Sequence, residues 1–250
     1  MFQTEIYQKN LIKLKEFLEK YRPFRPKPKR EYDQFLATEE TLIKRVLILE
    51  NLINERIKEI LFLGDDDLTS LAFSLLKSTD FNVNVMVVDI DKDILNFINF
   101  VSEKENFKIG TYNYDLKYPL PKDKFKNFNL VFTDPPYTPS ALELWLTRCL
   151  ESSLESGSNK KRKRPEILSS KYYVICYGYT EKETEKGLKI QGIITKLGLV
   201  IQEKIRDFNN YYGAKSISSK SDLYILQPTP KINLRKIDIE RTKFYTHQKF

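Results

Sequence analysis

Two short stretches of the sequence carry carboxylates where an ordinary packed core would not hold them. Asp65, Asp66 and Asp67 are consecutive in FLGDDDLTS, directly after an apolar run. Asp134 lies in VFTDPPYTP, between another apolar run and two prolines. Neighbouring carboxylates repel one another, and burying them without a partner costs free energy. Both stretches are therefore candidates for a site that binds cationic groups or transfers protons.

The elements around these acids predict how the chain brings them together. From residue 59 onward, apolar runs of strand length alternate with helical patterns, and the last two strands, 199–208 and 221–228, have no helix between them. Such strands form parallel sheets covered on both faces, and the closing pair indicates an antiparallel edge hairpin. The pattern alone predicts a doubly wound α/β fold. With seven strands in a mostly parallel, Rossmann-like sheet, the expected arrangement resembles that of S-adenosylmethionine-dependent transferases.

The chain divides into three predicted parts. Residues 1–55 hold a short N-terminal helix, the arm RPFRPKPKR, in which proline forbids helix, and a second helix with Thr38 as N-cap. Residues 56–230 form the Rossmann-like catalytic domain. Residues 231–250 form a polar C-terminal tail containing the lone histidine, His247, for which we expect no role in turnover.

Acidic residues end four successive predicted strands. Helix capping explains one such acid, for instance Asp67 before LTSLAF, but it does not explain four strands in a row. Ligands of open α/β sheets bind at the carboxyl ends of the strands, so we predict a site at this rim. The acids concerned are Asp65, Asp66 and Asp67 after the first strand, Asp89 and Asp91 after the second, Asp115 after the third and Asp134 after the fourth.

The predicted rim has no glycine-rich turn for an anion. Gly64 is followed by three acids instead of a G-x-G-x-x-G motif, and residues 64–93 contain seven Asp against two Lys. A pyrophosphate or a carboxylate would be repelled there, whereas a polycation would be attracted. At such a rim, Asp89 is placed to accept from ribose hydroxyls, with capping of the following helix as the alternative. Asp115 is placed to accept from an adenine amino group, with Leu116 or Tyr114 against the ring.

The segment TDPPY predicts a rigid pair of acceptors. Two prolines after a strand fix the backbone, so Asp134 and the Pro135 carbonyl would accept hydrogen bonds in a constant geometry. Tyr137 would offer a ring face to a cation or a stacked group. A substrate nitrogen that presents its lone pair to an electrophile fits this arrangement, and a plain proline-rich turn is the structural alternative.

Composition sets the class of protein. The 250 residues are 41% hydrophobic and 30% charged, which suits one globular α/β domain, and no apolar run approaches the length of a membrane helix. The N-terminus lacks an apolar signal core, so we expect a cytoplasmic protein, and Cys149 and Cys176 lack metal-ligand spacing. The net charge of +8 leaves a nucleic-acid partner open, but the basic loop 156–166 has no interleaved aromatics and receives no role.

These motifs resemble those of two families. D-P-P-Y after the fourth strand resembles the motif of methyltransferases that modify amino groups of nucleic-acid bases. GDDDLTS together with DPPY is more similar to the branched-chain polyamine synthases, the N4-bis(aminopropyl)spermidine synthases. That resemblance extends over about residues 25–225, through RPKPKREYDQFLATEETLIKR, VVDIDKDIL, CYGYTEKE and LGLVIQEKIRDFNNY.

The resemblance implies a function and a set of site residues. Members of the family transfer aminopropyl groups from decarboxylated S-adenosylmethionine to the secondary amine of spermidine. The resemblance implies that the decarboxylated donor and the polyamine are the partners, with the donor as co-substrate. It implies no further cofactor and no metal. Membrane and nucleic-acid substrates are not expected, and a homodimer is left open. The implied site is Gly64 to Asp67 and Asp134 to Tyr137, including Pro135 and Pro136, and we add Asp33, Gln34 and Tyr177 from the matching segments as substrate-binding residues.

The expected chemistry is an SN2 alkyl transfer. Amines of this kind titrate near ~10, so the acceptor must lose a proton before it attacks the carbon next to sulfur. We expect Asp66 or Asp67 to take that proton, within a catalytic set of Asp65, Asp66, Asp67 and Asp134. A DNA or RNA amino-methyltransferase is the alternative function, and a non-catalytic polyamine- or nucleic-acid-binding protein is a third class.

Overall fold

The structure is a computed structural model that describes residues 2–78, 81–154, 165–180, 182–213, 219–234, 237, 239 and 242–246. The helices are α1 (Phe2–Tyr21), α2 (Glu39–Leu52), α3 (Thr69–Leu76), α4 (Lys92–Glu105), α5 (Pro139–Ser153), α6 (Pro165–Leu168) and α7 (Thr184–Lys196). The strands are β1 (Glu59–Leu63), β2 (Asn84–Asp89), β3 (Ile109–Asn113), β4 (Leu130–Thr133), β5 (Tyr172–Tyr177), β6 (Leu199–Asn210) and β7 (Lys220–Pro228).

The seven strands form one mixed sheet in the order β3-β2-β1-β4-β5-β7-β6. Strands β1 to β5 pair in parallel, while β7 runs antiparallel to both β5 and β6. The predicted Rossmann-like, mostly parallel sheet is confirmed, and so is the antiparallel pair at its edge. The order reverses between β1 and β4, which places the crevice of the fold between the carboxyl ends of these two strands.

Alternate residues of the strands build two cores, because successive side chains point to opposite faces of a sheet. In β1, Ile60 and Phe62 pack with residues of α1, α2, α3 and α4. Leu61 and Leu63 pack on the other face with residues of α5 and α7. Both faces of the parallel strands are thus covered, which explains why these runs are apolar without alternation.

The N-terminal helices pack against the sheet. Leu14 and Leu42 belong to the same apolar cluster as Phe62 of β1. Thr38 caps α2 as predicted, since its hydroxyl accepts a hydrogen bond from the backbone N of Thr41 at 3.3 Å. The predicted division at residues 55 and 230 stays a prediction.

Near the C-terminus, Phe244 and Tyr245 are buried against the face that carries α5. His247 and most of the basic loop 156–166 lie outside the described residues. Within the described residues, no helix combines the length and the apolar character needed to cross a membrane.

Candidate active site

A cavity opens at the crevice between β1 and β4. Three carboxylates, Asp66, Asp89 and Asp134, belong to its walls and come from the ends of three different strands. Three of the seven acids predicted at the rim thus line one cavity. The complete lining consists of Tyr32, Gln34, Gly64, Asp66, Asp89, Ile90, Leu116, Asp134, Pro136, Trp145 and Tyr245.

Gly64 makes the turn that presents the aspartate triplet. Its φ is +76°, a left-handed conformation that glycine adopts without strain, and its backbone N donates to the Val88 carbonyl at 2.8 Å. A Cβ at this position would meet no atom within 4 Å, so the glycine faces open space beside the cavity. Residue 64 therefore needs glycine for its backbone conformation rather than for room.

The three aspartates of the triplet have three different environments. Asp65 turns away from the cavity and accepts hydrogen bonds from the backbone N and the Oγ of Ser70, in the first turn of α3. Asp67 also turns inward, where its carboxylate accepts from the backbone N of Ala37 at 2.5 Å. The alternative that Asp67 caps α3 is wrong, because the cap position is Leu68 and has no side-chain bond.

Asp66 is the member of the triplet that lines the cavity. Among the described residues, none donates a hydrogen bond to its carboxylate, while Arg25 of the arm donates to its backbone carbonyl at 3.0 Å. Withdrawal from water raises the pKa of Asp66 well above its ordinary value, and the facing charges of Asp67, Asp89 and Asp134 raise it further. A carboxylate with a raised pKa and no fixed partner suits a group that takes up a proton.

Asp134 and Asp89 are held in place by donors of the protein. Asp134 Oδ2 accepts from the Tyr211 hydroxyl at 2.7 Å, and Asp89 accepts from the backbone N of Asp65 and of Asp91. Burial raises the pKa of Asp134 to about 6, although the nearby Arg45 guanidinium lowers it. Burial also raises the pKa of Asp89, against the effect of its backbone hydrogen bonds. Both carboxylates are therefore oriented before any ligand arrives.

Arg45 of α2 is a site residue that the sequence analysis missed. Its side chain is 0% exposed and bridges Asp67 and Asp134, at 2.6 and 2.7 Å between nitrogen and oxygen. A signal for it exists in the helical pattern, because Arg45 lies three residues after Leu42 and four before Leu49, on the buried stripe of α2. An arginine on an apolar stripe is rarely buried unless it has an anionic partner.

The proline-rich arm extends to Gln34 in the structure and contributes one wall of the cavity. Gln34 lines the cavity and donates to Asp91 Oδ2 at 3.2 Å, and Lys29 donates to Asp91 Oδ1 at 2.6 Å. Burial acts to raise the pKa of Asp91, but these hydrogen bonds outweigh burial and lower it. Asp91, predicted to bind substrate, thus anchors the arm and lies outside the cavity lining.

Aromatic side chains from three separate segments form the other walls. The Tyr245 ring lies 6.4 Å from that of Trp145 on α5 and 6.0 Å from that of Tyr32 in the arm. All three rings line the cavity, and Leu116 adds an apolar contact. Walls of this kind accommodate a flat ring or a cationic centre.

The remaining predicted residues surround the cavity without lining it. Tyr137 stacks on Tyr177, with ring centroids 5.5 Å apart, and its hydroxyl donates to Asp134 Oδ1 at 3.3 Å. Asp33 accepts from the backbone N of Thr246, and Asp115 accepts from that of Lys117. Pro135 is buried and precedes the lining residue Pro136. The substrate roles of these residues stay predictions.

Comparison with known proteins identifies the relatives of this chain. A family model described as the branched-chain polyamine synthase A C-terminal domain matches residues 13–245. An uncharacterized protein of Methanocaldococcus jannaschii is 38% identical over 75% of this chain and 43% of its own length. The N(4)-bis(aminopropyl)spermidine synthase of the same organism is 34% identical over 82% of this chain and 53% of its own. The chain thus spans about half the length of the curated relatives it matches.

Solved structures share the fold at low sequence identity. The branched-chain polyamine synthase of Thermus thermophilus, in complex with N4-aminopropylspermidine and 5′-methylthioadenosine, has a TM-score of 0.69 and 24% identity, over 92% of this chain and 70% of its own. A putative RNA methyltransferase of Pyrococcus horikoshii has a TM-score of 0.61 and 14% identity, over 87% of this chain and 99% of its own. By its family-model match over residues 13–245, this chain belongs to the branched-chain polyamine synthase A C-terminal domain family.

Proposed function

We propose that this protein transfers aminopropyl groups from decarboxylated S-adenosylmethionine to the secondary amine of spermidine, making branched-chain polyamines. Its family and the relatives named N(4)-bis(aminopropyl)spermidine synthase support this proposal. So does the pair of molecules in the Thermus thermophilus structure. One is a branched amine, and the other is the thioether that remains when the donor loses its aminopropyl group.

The observation that carries the proposal is the charge of the cavity. Asp66, Asp89 and Asp134 line it, and the turn at Gly64 offers no row of glycine amides to an anion. The decarboxylated donor has an ammonium and a sulfonium where S-adenosylmethionine also has a carboxylate, and spermidine adds further cations. Opposite charges in a partly desolvated cavity attract strongly, whereas a carboxylate on the donor would face three others.

The proposed reaction forms one C–N bond and breaks one C–S bond. The secondary amine loses its proton to Asp66, which lines the cavity and has a raised pKa. Its lone pair then attacks the aminopropyl carbon next to sulfur, and the electron pair of the broken bond goes to sulfur, leaving a neutral thioether. Asp134, fixed by Arg45 and Tyr211, holds the amine in line. Asp65 binds Ser70 in the first turn of α3, and we assign it no role in the proton transfer.

The donor nucleoside has a place in the same cavity. Asp89 ends β2, where nucleoside-binding α/β proteins put an acid on ribose hydroxyls. Leu116, Trp145 and Tyr245 supply apolar and aromatic surface for the adenine. We propose the donor as co-substrate with no metal or further cofactor. A cytoplasmic location is also part of the proposal, whereas a homodimer is left open.

A base amino-methyltransferase is the second candidate, favoured by DPPY at residues 134–137 and by the net charge of +8. Isothermal titration calorimetry separates the two functions, because they use different forms of the donor. We expect the decarboxylated donor to bind and S-adenosylmethionine to bind at least about tenfold more weakly, since a new carboxylate would meet the acidic cavity. Tight binding of S-adenosylmethionine without binding of the decarboxylated form would overturn the proposal.

A further inference from the structure

We propose that Arg45 is a positioning residue for aminopropyl transfer: it holds Asp67 and Asp134 as one oriented pair and so leaves Asp66 as the member of the triplet that accepts the amine proton. This inference rests on the proposed function. It concerns a residue of α2, an element that precedes the first strand of the sheet and supplies no residue to the cavity lining.

The guanidinium of Arg45 is fully engaged. Its five hydrogen bonds use one N–H on Nε and two on each terminal nitrogen. The acceptors lie on three separate parts of the chain, and they are Asp67 and Thr69 after β1, Asp134 after β4, and Asn209 and Tyr211 at the end of β6. A planar fork with every donor bound has one orientation, so the two carboxylates it bridges have one relative orientation as well.

The two carboxylates come from the two strands that flank the crevice. Asp67 follows β1, Asp134 follows β4, and the topological reversal lies between these strands. Asp134 lines the cavity, whereas Asp67 is 4% exposed and faces Arg45. By occupying Asp67, the arginine removes that carboxylate from competition for the substrate proton, and Asp66 keeps its access to the cavity.

Stability alone is a poor reason for this arrangement. Burying an arginine with two carboxylates costs desolvation free energy that apolar side chains would avoid, and buried ion pairs are often replaceable by apolar groups without loss of stability. The ring of Phe132 lies 5.2 Å from the guanidinium carbon. The positions of the two carboxylates at the crevice are what the arginine secures.

The charge of Arg45 also sets the protonation of Asp134. Without the guanidinium, Asp134 would face the negative charge of Asp67 with no opposing positive charge, and the pKa of Asp134 would rise. With the guanidinium present, the opposing positive charge lowers the pKa of Asp134 against the effect of burial. The titratable and charged groups that face Asp134 are Arg45 of α2, Asp66 and Asp67 after β1, Tyr137 after β4, Cys176 of β5 and Tyr211 at the end of β6.

The test compares Arg45→Met with Arg45→Lys, and with Lys171→Met as a matched control. Lys171 is also a buried cation, but it precedes β5 at the opposite end of the sheet and donates to backbone carbonyls. For Arg45→Met we expect kcat per folded molecule at pH 7 to fall on the order of 10²-fold and the acid limb of the kcat–pH profile to move up by about one unit or more. Arg45→Lys should keep the acid limb near that of the wild type but lose about tenfold in kcat, because an ammonium cannot bridge both carboxylates.

A second readout does not depend on turnover. In protein labelled with ¹³C at the aspartate carboxyls, the Asp134 signal, assigned with Asp134→Asn, should titrate at higher pH in Arg45→Met than in the wild type. If the wild type makes no branched polyamine, the proposed function fails while this titration still tests the role of Arg45. A folded Arg45→Met with the wild-type acid limb, kcat and Asp134 titration would overturn the inference. If Arg45→Met does not fold, wild-type kcat in Arg45→Lys would overturn it.

Discussion

Asp65 Oδ2 accepts two hydrogen bonds from Ser70, one from the serine backbone N at 3.2 Å and one from its hydroxyl at 2.5 Å. The first acid of the triplet is thus part of the start of α3. It is 2% exposed, and burial raises its pKa to about 8, against the effect of the serine bonds and with a smaller contribution from Asp67 and Asp89.

The raised pKa of Asp65 predicts a pH-dependent cost to stability. The folded protein binds this proton more tightly than the unfolded chain, whose aspartates titrate near ~4. The associated stabilisation is full below that pH and is lost as the pH rises toward 8. Asp65→Asn keeps an acceptor for Ser70 and does not titrate, so the melting temperature of the variant relative to the wild type should rise between pH 5 and pH 8.5, measured by thermal unfolding. A difference that stays constant over this range would contradict the assignment.

Asp66 is predicted to carry the proton transfer. Asp66→Asn should stay folded, bind the donor and lose on the order of 10²-fold or more in kcat, because Asp89 and Asp134 are held by donors of the protein and Asp66 is the lining carboxylate that takes the proton. Raising the pH should partly restore its rate, since the free amine then no longer depends on a local base. Steady-state kinetics from pH 6 to pH 10 measures both effects.

The control for Asp66 is Asp123→Asn, which changes an exposed acid of the β3–β4 connection. It loses the same charge and should keep wild-type kcat at each pH. Near-normal transfer by a folded Asp66→Asn, or by the double variant at positions 66 and 67, would end the proposed mechanism.

Asp134 is predicted to bind the amine as well as to align it. Asp134→Asn removes a fixed negative charge and should weaken spermidine binding by about tenfold or more, as expected for a charged hydrogen bond of ~1.5–3 kcal/mol. It should also lower kcat, so the affinity for spermidine and kcat fall together. Calorimetry with spermidine, beside kinetics, separates the two effects. An unchanged affinity for spermidine would show that Asp134 does not contact the amine.

The arm is predicted to affect the donor more than the chemistry. Lys29→Met removes the ion pairs with Asp91 and Asp93, at 2.6 and 2.7 Å, that hold the arm beside the cavity. Because Tyr32 and Gln34 reach the cavity from this arm, the KM for the donor should rise about three- to tenfold, as for the loss of ~1 kcal/mol, with little change in kcat.

The matched control for the arm is Lys27→Met, an exposed lysine two residues earlier in the same segment. It should behave as wild type in both constants. Equal effects of the two substitutions would mean that general charge, rather than the contact with Asp91, governs donor binding.

Much of the sheet could be predicted from the sequence because its signal is local. Apolar runs such as residues 59–63 and 130–133 must be buried, and the helices between them force parallel pairing. The convergence of Asp66, Asp89 and Asp134 followed from topology alone, since the carboxyl ends of parallel strands share one rim.

The different environments of the three aspartates in the triplet could not be predicted in this way. Side chains in a turn after a strand follow no period, so which of Asp65, Asp66 and Asp67 faces the cavity depends on partners distant in sequence. Ser70 and Arg45 are those partners, and Arg45 lies 22 residues before the aspartate it binds. The contribution of Tyr245 to the cavity wall was not predicted either, because the composition of residues 231–250 indicates a polar tail.

Mass spectrometry of the product tests the central claim most directly. Purified protein is incubated with spermidine and decarboxylated S-adenosylmethionine, and in parallel with S-adenosylmethionine, with a reaction that contains no protein as the reference. We predict a product heavier than spermidine by one or two aminopropyl units, whose fragmentation places the addition on the internal nitrogen, together with 5′-methylthioadenosine in equal molar amount per transfer. No addition from the decarboxylated donor, or methylation from S-adenosylmethionine instead, would contradict the account.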